Sequence, residues 1–142
     1  MTYSVQIAID SEQPHDLADW WAQTLGWIVE PSDEAFIRSM IDQGYATDDQ
    51  TMTHNGVLVW TAGAAINPPA ELAAAPRILF QLVPEVKSVK NRVHLDLRSA
   101  DAPTDAEHAA LVLRGARKLH EGNQGPHRWV TYADPEGNEF CL

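Results

Sequence analysis

Apolar and polar positions alternate along residues 3 to 9, YSVQIAI, with Val5, Ile7 and Ile9 on one side and Ser4, Gln6 and Ala8 on the other. That period of two predicts a half-buried strand. The period then lengthens. Pro14 suits a first helical turn, Leu17, Trp20, Trp21, Thr24 and Leu25 follow at helical spacing, and Gly26 can close the turn, so a helix is expected over 14 to 25. A short apolar run at 27 to 30 predicts a strand, and Ser32 is placed to cap a second helix with Phe36, Ile37, Met40 and Ile41 inward and Gly44 as its stop. Asn55-Gly56 between Thr51–His54 and Val57–Trp60 is a hairpin turn signal. Residues 61 to 76, rich in Ala and Pro with little periodicity, are expected to form a surface loop. Strands follow at 77 to 83 and 92 to 98, then a helix at 104 to 114 ending at Gly115. ARKLH and RWVTYA are predicted strands around an EGNQGP loop, and DPEGN is a turn into the final EFCL.

Two halves of this pattern correspond. The strand Val5-Gln6-Ile7-Ala8-Ile9 can be set against Val93-His94-Leu95-Asp96-Leu97, each is followed by a helix closed by glycine, and Phe80-Gln81-Leu82 matches Phe140-Cys141-Leu142. Strand, helix, strand, strand, strand thus occurs twice, which predicts an α+β fold of two tandem βαβββ modules, with an extra helix and hairpin inserted in the first. The expected boundaries are one domain over 1–142, with module one at about 1–86 and module two at about 90–142. The helix covers one face of each sheet and leaves the other open. Strand parity then directs Gln6, Gln81, His94 and Cys141 to that open face, expected to be the lining of one curved trough.

Composition narrows the functional classes. The chain has 142 residues, and 10 Lys+Arg against 20 Asp+Glu set its formal charge at -10. So acidic a surface is a poor partner for nucleic acid. There is no apolar run of the roughly 20 residues needed to span a membrane, and MTYSVQIAIDSEQ lacks the character of a signal peptide, so a cytoplasmic protein is expected. The one cysteine, Cys141, excludes an internal disulfide framework. Surplus Trp and open sheet edges make a homodimer the default expectation.

The helix end WWAQTLGW, the stretches KNRVHLDLRS and GARKLHEG, and above all WVTYADPEGNEFCL resemble the vicinal oxygen chelate superfamily of glyoxalases, bleomycin-resistance proteins and dioxygenases, in its uncharacterised glyoxalase-like branch. The resemblance implies the doubled βαβββ fold over nearly the whole chain. Metalloenzymes of that superfamily carry four ligands on the first and last strands of the two modules; carried over one by one, these fall on Gln6, Gln81, His94 and Cys141. Two neutral amides add no charge to offset a cation's desolvation, and one imidazole with one thiolate makes half a zinc site. The resemblance therefore implies a small-molecule binding or sequestering protein without a complete metal set. The alternative is a metal-dependent lyase, isomerase or dioxygenase using His94 with Zn, Ni, Fe or Mn, and a ligand-free dimeric interaction module is a third reading.

Each candidate residue has a plain account beside the functional one. Asp96, two residues after His94, could orient the imidazole for base catalysis, or the pair could simply satisfy each other. Gln6 and Gln81 could orient a carbonyl. Trp60, expected on the third strand of the first half, and its counterpart Trp129 could wall an aromatic pocket. Cys141, with no basic neighbour in sequence, reads as a small buried residue rather than a nucleophile. His15, His54, His108, His120 and His127 are expected on helix starts or loops and solvated. Lys87, Lys90 and Arg92 form a basic stretch expected to be solvated, and ligand choice is assigned to the inserted segment, 31 to 76.

Overall fold

The computed structural model describes all 142 residues. They divide into two compact units, Met1–Pro84 and Glu85–Leu142. The fold is α+β, and no helix is long and apolar enough to cross a membrane.

In unit 1, β1 (Ile7–Ser11) leads to α1 (Pro14–Leu25), β2 (Ile28–Val29), α2 (Glu34–Asp42), a hairpin of β3 (Thr51–His54) and β4 (Val57–Trp60), then β5 (Gly63–Asn67) and β6 (Ile78–Leu82). Four of these strands form one sheet in the order β1-β6-β5-β2, while β3 and β4 pair only with each other. α1 forms as its spacing predicts, with Pro14 in its first turn and Gly26 in the left-handed region at φ 66°. Leu17, Ala18, Trp20, Trp21 and Ala22 are buried along its inner side, against a floor that includes Ile66, Ile78 and Phe80. Trp20 and Trp21 meet edge to face with centroids 5.1 Å apart.

Unit 2 runs β7 (Leu95–Asp96), α3 (Asp105–Leu113), β8 (Arg117–Gln124), β9 (His127–Ala133) and β10 (Glu139–Cys141). Its sheet order is β7-β10-β9-β8. The first strand is parallel to the last and the other pairs are antiparallel, as in unit 1. Thr104 caps α3 reciprocally with Glu107, so the helix start is set by a capping box. Tyr132 and Phe140 are the largest buried side chains of this unit and stack at 5.6 Å.

Several expectations are corrected. Residues 61 to 76 are not all loop, because β5 is a central strand with Ala64, Ala65 and Ile66 buried. Its small side chains hid it, since Ala lacks the branching that marks strands. Gly63 is required there: a Cβ would come within 2.5 Å of the Phe80 carbonyl oxygen. EGNQGP is mostly strand, since β8 continues to Gln124. Asp33, not Ser32, caps α2, accepting from the Phe36 N–H at 2.9 Å, while the Ser32 hydroxyl donates to the Leu58 carbonyl. Of the expected α2 stripe only Ile37 is buried, and Phe36 is exposed. The first strands are shorter than the alternation suggested, which leaves Val5 and Val93 exposed.

Candidate functional site

The turn that ends β9 builds the site from below. Asp134 is buried, and its carboxylate accepts from the Glu136 N–H at 3.0 Å, the Asn138 N–H at 2.9 Å and the Asn138 amide. Gly137 in the same turn takes φ 93°. The Asn91 side chain donates to Asn138 Oδ1, and the Asn91 N–H donates to Glu139, whose other oxygen receives Lys87 Nζ at 3.1 Å. Burial pushes the Glu139 carboxyl up, but the backbone N–H groups of Asn91 and of Glu139 itself, with Lys87, outweigh it and hold the carboxyl below its ordinary range. Lys87 is therefore a half-buried structural cation and not a solvated one. DPEGN is a clasp that fixes where β10 lies against β7 and β9.

That register aligns side chains across the open face. Cys141 stands opposite Asp96 on one side and Thr131 on the other, and Thr131 stands opposite His120. The Cys141 sulfur is 3.5 Å from the Thr131 hydroxyl. His94 Nδ1 is 2.9 Å from Asp96 Oδ1, and ligand-type atoms of His94, Asp96 and Cys141 all lie within 4.8 Å of one another. His94 and Asp96 are exposed and Cys141 is half-buried. A carboxylate on Nδ1 favours the tautomer that leaves Nε2 free to accept a proton or bind a ligand. Cys141 lacks a basic neighbour in sequence but has an imidazole beside it in space. The three donor types are those of a zinc site, and Asp96 supplies the anionic oxygen that the expected quartet lacked.

Gln6 and Gln81 belong to unit 1. Gln6 lies just before β1, and its amide oxygen accepts from Arg77 at 2.7 Å. Arg77 also grips both oxygens of Glu30, at 2.7 and 3.1 Å. Its hydrogen bond lowers the Glu30 carboxyl below the ordinary range. Gln81 is exposed on β6 between Asp10 and Gly63. With Phe80 matched to Phe140, the register sets Ile9 against Leu95 and Asp10 against Asp96, so the position two residues earlier that matches His94 is Ala8, not Gln6. Trp60 is on the inserted hairpin rather than the third strand of the sheet, so it is not the counterpart of Trp129. Trp129 covers Gly122 across the β8–β9 pair, where an added Cβ would collide with its ring.

Three histidines read as solvated have partners. His54 Nε2 lies 2.7 Å from Asp19, with Asp16 at 3.8 Å from the other ring nitrogen. His15 Nε2 is 2.8 Å from the Trp60 carbonyl, and His108 Nδ1 is 2.7 Å from the Tyr132 hydroxyl. These contacts span 24 to 45 residues, beyond the reach of local spacing. His120 and His127 stay exposed but on strands.

A glyoxalase-like domain model matches residues 6–142. The chain belongs to the glyoxalase-like domain family. Solved structures that include members of the glyoxalase, bleomycin-resistance and dioxygenase superfamily share the fold of this glyoxalase-like protein. It is similar to the fosfomycin resistance protein FosX from Listeria monocytogenes, with TM-score 0.61, 10% identity and coverage of 100% of this chain and 92% of that one. It is similar to the bleomycin resistance determinant encoded on transposon Tn5, with TM-score 0.54, 13% identity and coverage of 99% and 96%. A superfamily member from Sphaerobacter thermophilus gives TM-score 0.56, 16% identity and coverage of 100% and 96%. At these identities the likeness concerns the fold. A comparison with curated proteins finds no match.

Proposed function

We propose that this glyoxalase-like protein binds a small polar organic molecule on the open sheet face of unit 2, with His94, Asp96 and Cys141 as its anchors. The observation behind this reading is that an oriented imidazole, a carboxylate and a thiol converge on an accessible sheet face. Asp96 holds the ring, His94 Nε2 meets the ligand, and Cys141 and Thr131 contribute a thiol and a hydroxyl. Retention of such a molecule would make the protein a binding or sequestering member of its superfamily. Thermal-shift screening of small acids, aldehydes and antibiotics, fosfomycin and bleomycin among them, tests it. A ligand that stabilises the native form should raise Tm for the wild type, and the rise should vanish in His94→Ala. A rise that is equal in both proteins rejects the site.

A second reading rests on the same three donors, which match the number and type of protein ligands of an open zinc site. When bound, such a cation would act as a Lewis acid toward a substrate oxygen. Elemental analysis decides between the readings. Stoichiometric metal that disappears in Asp96→Asn favours the metal-dependent enzyme, and its absence after loading with Zn²⁺ favours metal-free binding.

A further inference from the structure

Unit 2 also carries a cavity of about 650 Å³ on the opposite side of its sheet, between α3 and the β8–β9 hairpin. The two elements beside it differ in length. α3 has 9 residues, and at roughly 1.5 Å per residue reaches about 14 Å, whereas the 8-residue β8 at roughly 3.3 Å per residue reaches about 26 Å. His108 of α3 meets Tyr132 of β9, while most of β8 stays exposed. Ala109 and Val112 line the helix side, while Val130 and Leu142 line the sheet side on the face of Tyr132 rather than that of Cys141. Val112 is an apolar side chain left 49% exposed.

The polar groups of the cavity are unequal. Lys118 and Glu121 neutralise each other in an ion pair. Arg128 lies on the wall without a side-chain hydrogen bond, close enough to Glu121 to feel its charge but not paired with it as Lys118 is. Asp105 sits in the first turn of α3, where the N–H groups of the helix start offset its charge. Tyr132 is buried at the inner end, and its phenol is shifted up by that burial, so it stays protonated at neutral pH. The cavity therefore offers a partly apolar cleft, a Tyr132 hydroxyl already bonded to His108 at its floor and a guanidinium without a hydrogen bond near its mouth. Its volume falls inside the range of roughly 300–1,000 Å³ typical of small-molecule sites.

We infer that this cleft is a second binding site, distinct from the open-face site, for a flat aromatic molecule bearing a single carboxylate or sulfonate, its rings between α3 and the hairpin and its acid group on Arg128. An Arg fork matches a carboxylate in a way that the paired Lys118 does not.

The fluorescent aromatic sulfonate 8-anilinonaphthalene-1-sulfonate tests this by titration of the native protein. Saturable one-to-one binding is expected. Arg128→Gln should weaken it about tenfold, the scale of one charge-assisted contact. Val112→Trp, which fills the slot from an exposed helix position, should abolish it, and His94→Ala should leave it unchanged. Binding that ignores both cleft substitutions overturns the proposal, and so does binding lost in His94→Ala. Light scattering covers the other occupant: a concentration-dependent dimer that disappears in Val112→Trp and excludes the probe would assign the cleft to a second copy of the chain and reject the ligand. Arg128→Gln alters only an exposed side chain, so it stays informative if Val112→Trp fails to fold.

Discussion

Units 1 and 2 arrange their strands identically and stabilise them by different physics. In unit 1 the 12-residue α1 buries Leu17, Trp20 and Trp21 on its sheet, an apolar contact of large area. In unit 2 the 9-residue α3 buries only Leu111, and much of the order comes from the polar clasp of Asp134, Asn138, Asn91, Glu139 and Lys87. The open faces differ in parallel. The row Asp10, Gln81, Gly63 of unit 1 is matched in unit 2 by Asp96, Cys141, Thr131, with His94 added where unit 1 has Ala8. One topology thus supports a packed unit with little chemistry and an under-covered unit that holds the reactive side chains. The clasp of hydrogen bonds replaces the apolar burial that the shorter helix forgoes, and the reactive side chains stand on the opposite, open face.

The sharpest way to break this comparison is Trp21→Ala, which removes the largest fully buried side chain of α1. It should cost about 3–5 kcal/mol in urea unfolding. A loss below about 1 kcal/mol, the scale of an ordinary surface change, would show that α1 does not carry unit 1. Next is Asp134→Ala, which removes the acceptor of the half-buried Glu136 N–H and the buried Asn138 N–H. An expected loss of about 2–4 kcal/mol, accompanied by faster amide exchange along β10, would establish the clasp as the polar counterpart of the α1 core. Retained protection in β10 would refute that.

The smallest effect concerns Glu30 and Arg77, an exposed bidentate pair in unit 1. Glu30→Gln should cost about 0.5–1 kcal/mol at neutral pH and less in high salt. Because the folded-state pKa of Glu30 is lowered, its contribution is complete above the unfolded value of about 4.3 and fades as the pH falls through the folded value. The stability curves of wild type and Glu30→Gln should therefore converge on acidification. Curves that stay parallel to low pH would mean that the pair contributes nothing through charge.

Helix α1, the hairpin around Asn55-Gly56 and the glycine stop at Gly115 were legible because each is written in local spacing and backbone preference. The resemblance carried by DPEGNEF located the family for a similar reason, since the Asp134 turn satisfies its hydrogen bonds among residues 134 to 138. Strand β5 was illegible: Ala64 and Ala65 carry no strand signal, and their place between β2 and β6 depends on α1 lying over them. The match of His94 to Gln6 failed by one pleat, because two alternating strands can be slid by two residues without changing any face.

By itself, then, the amino-acid order determined the helices, the turns, the doubled strand plan and which side chains share a face. Each of these follows from contacts within a few residues, or from a parity that any register with the same period obeys. The tertiary structure alone decided that Asp96 and Cys141 are neighbours, that Ala8 stands where His94 has its counterpart, that His54 meets Asp19 and that α3 is shorter than the hairpin beside it. Those facts depend on the pairing of strands and elements far apart in the chain. That pairing is chosen by the total of burial and hydrogen bonding over the whole unit rather than by any local preference.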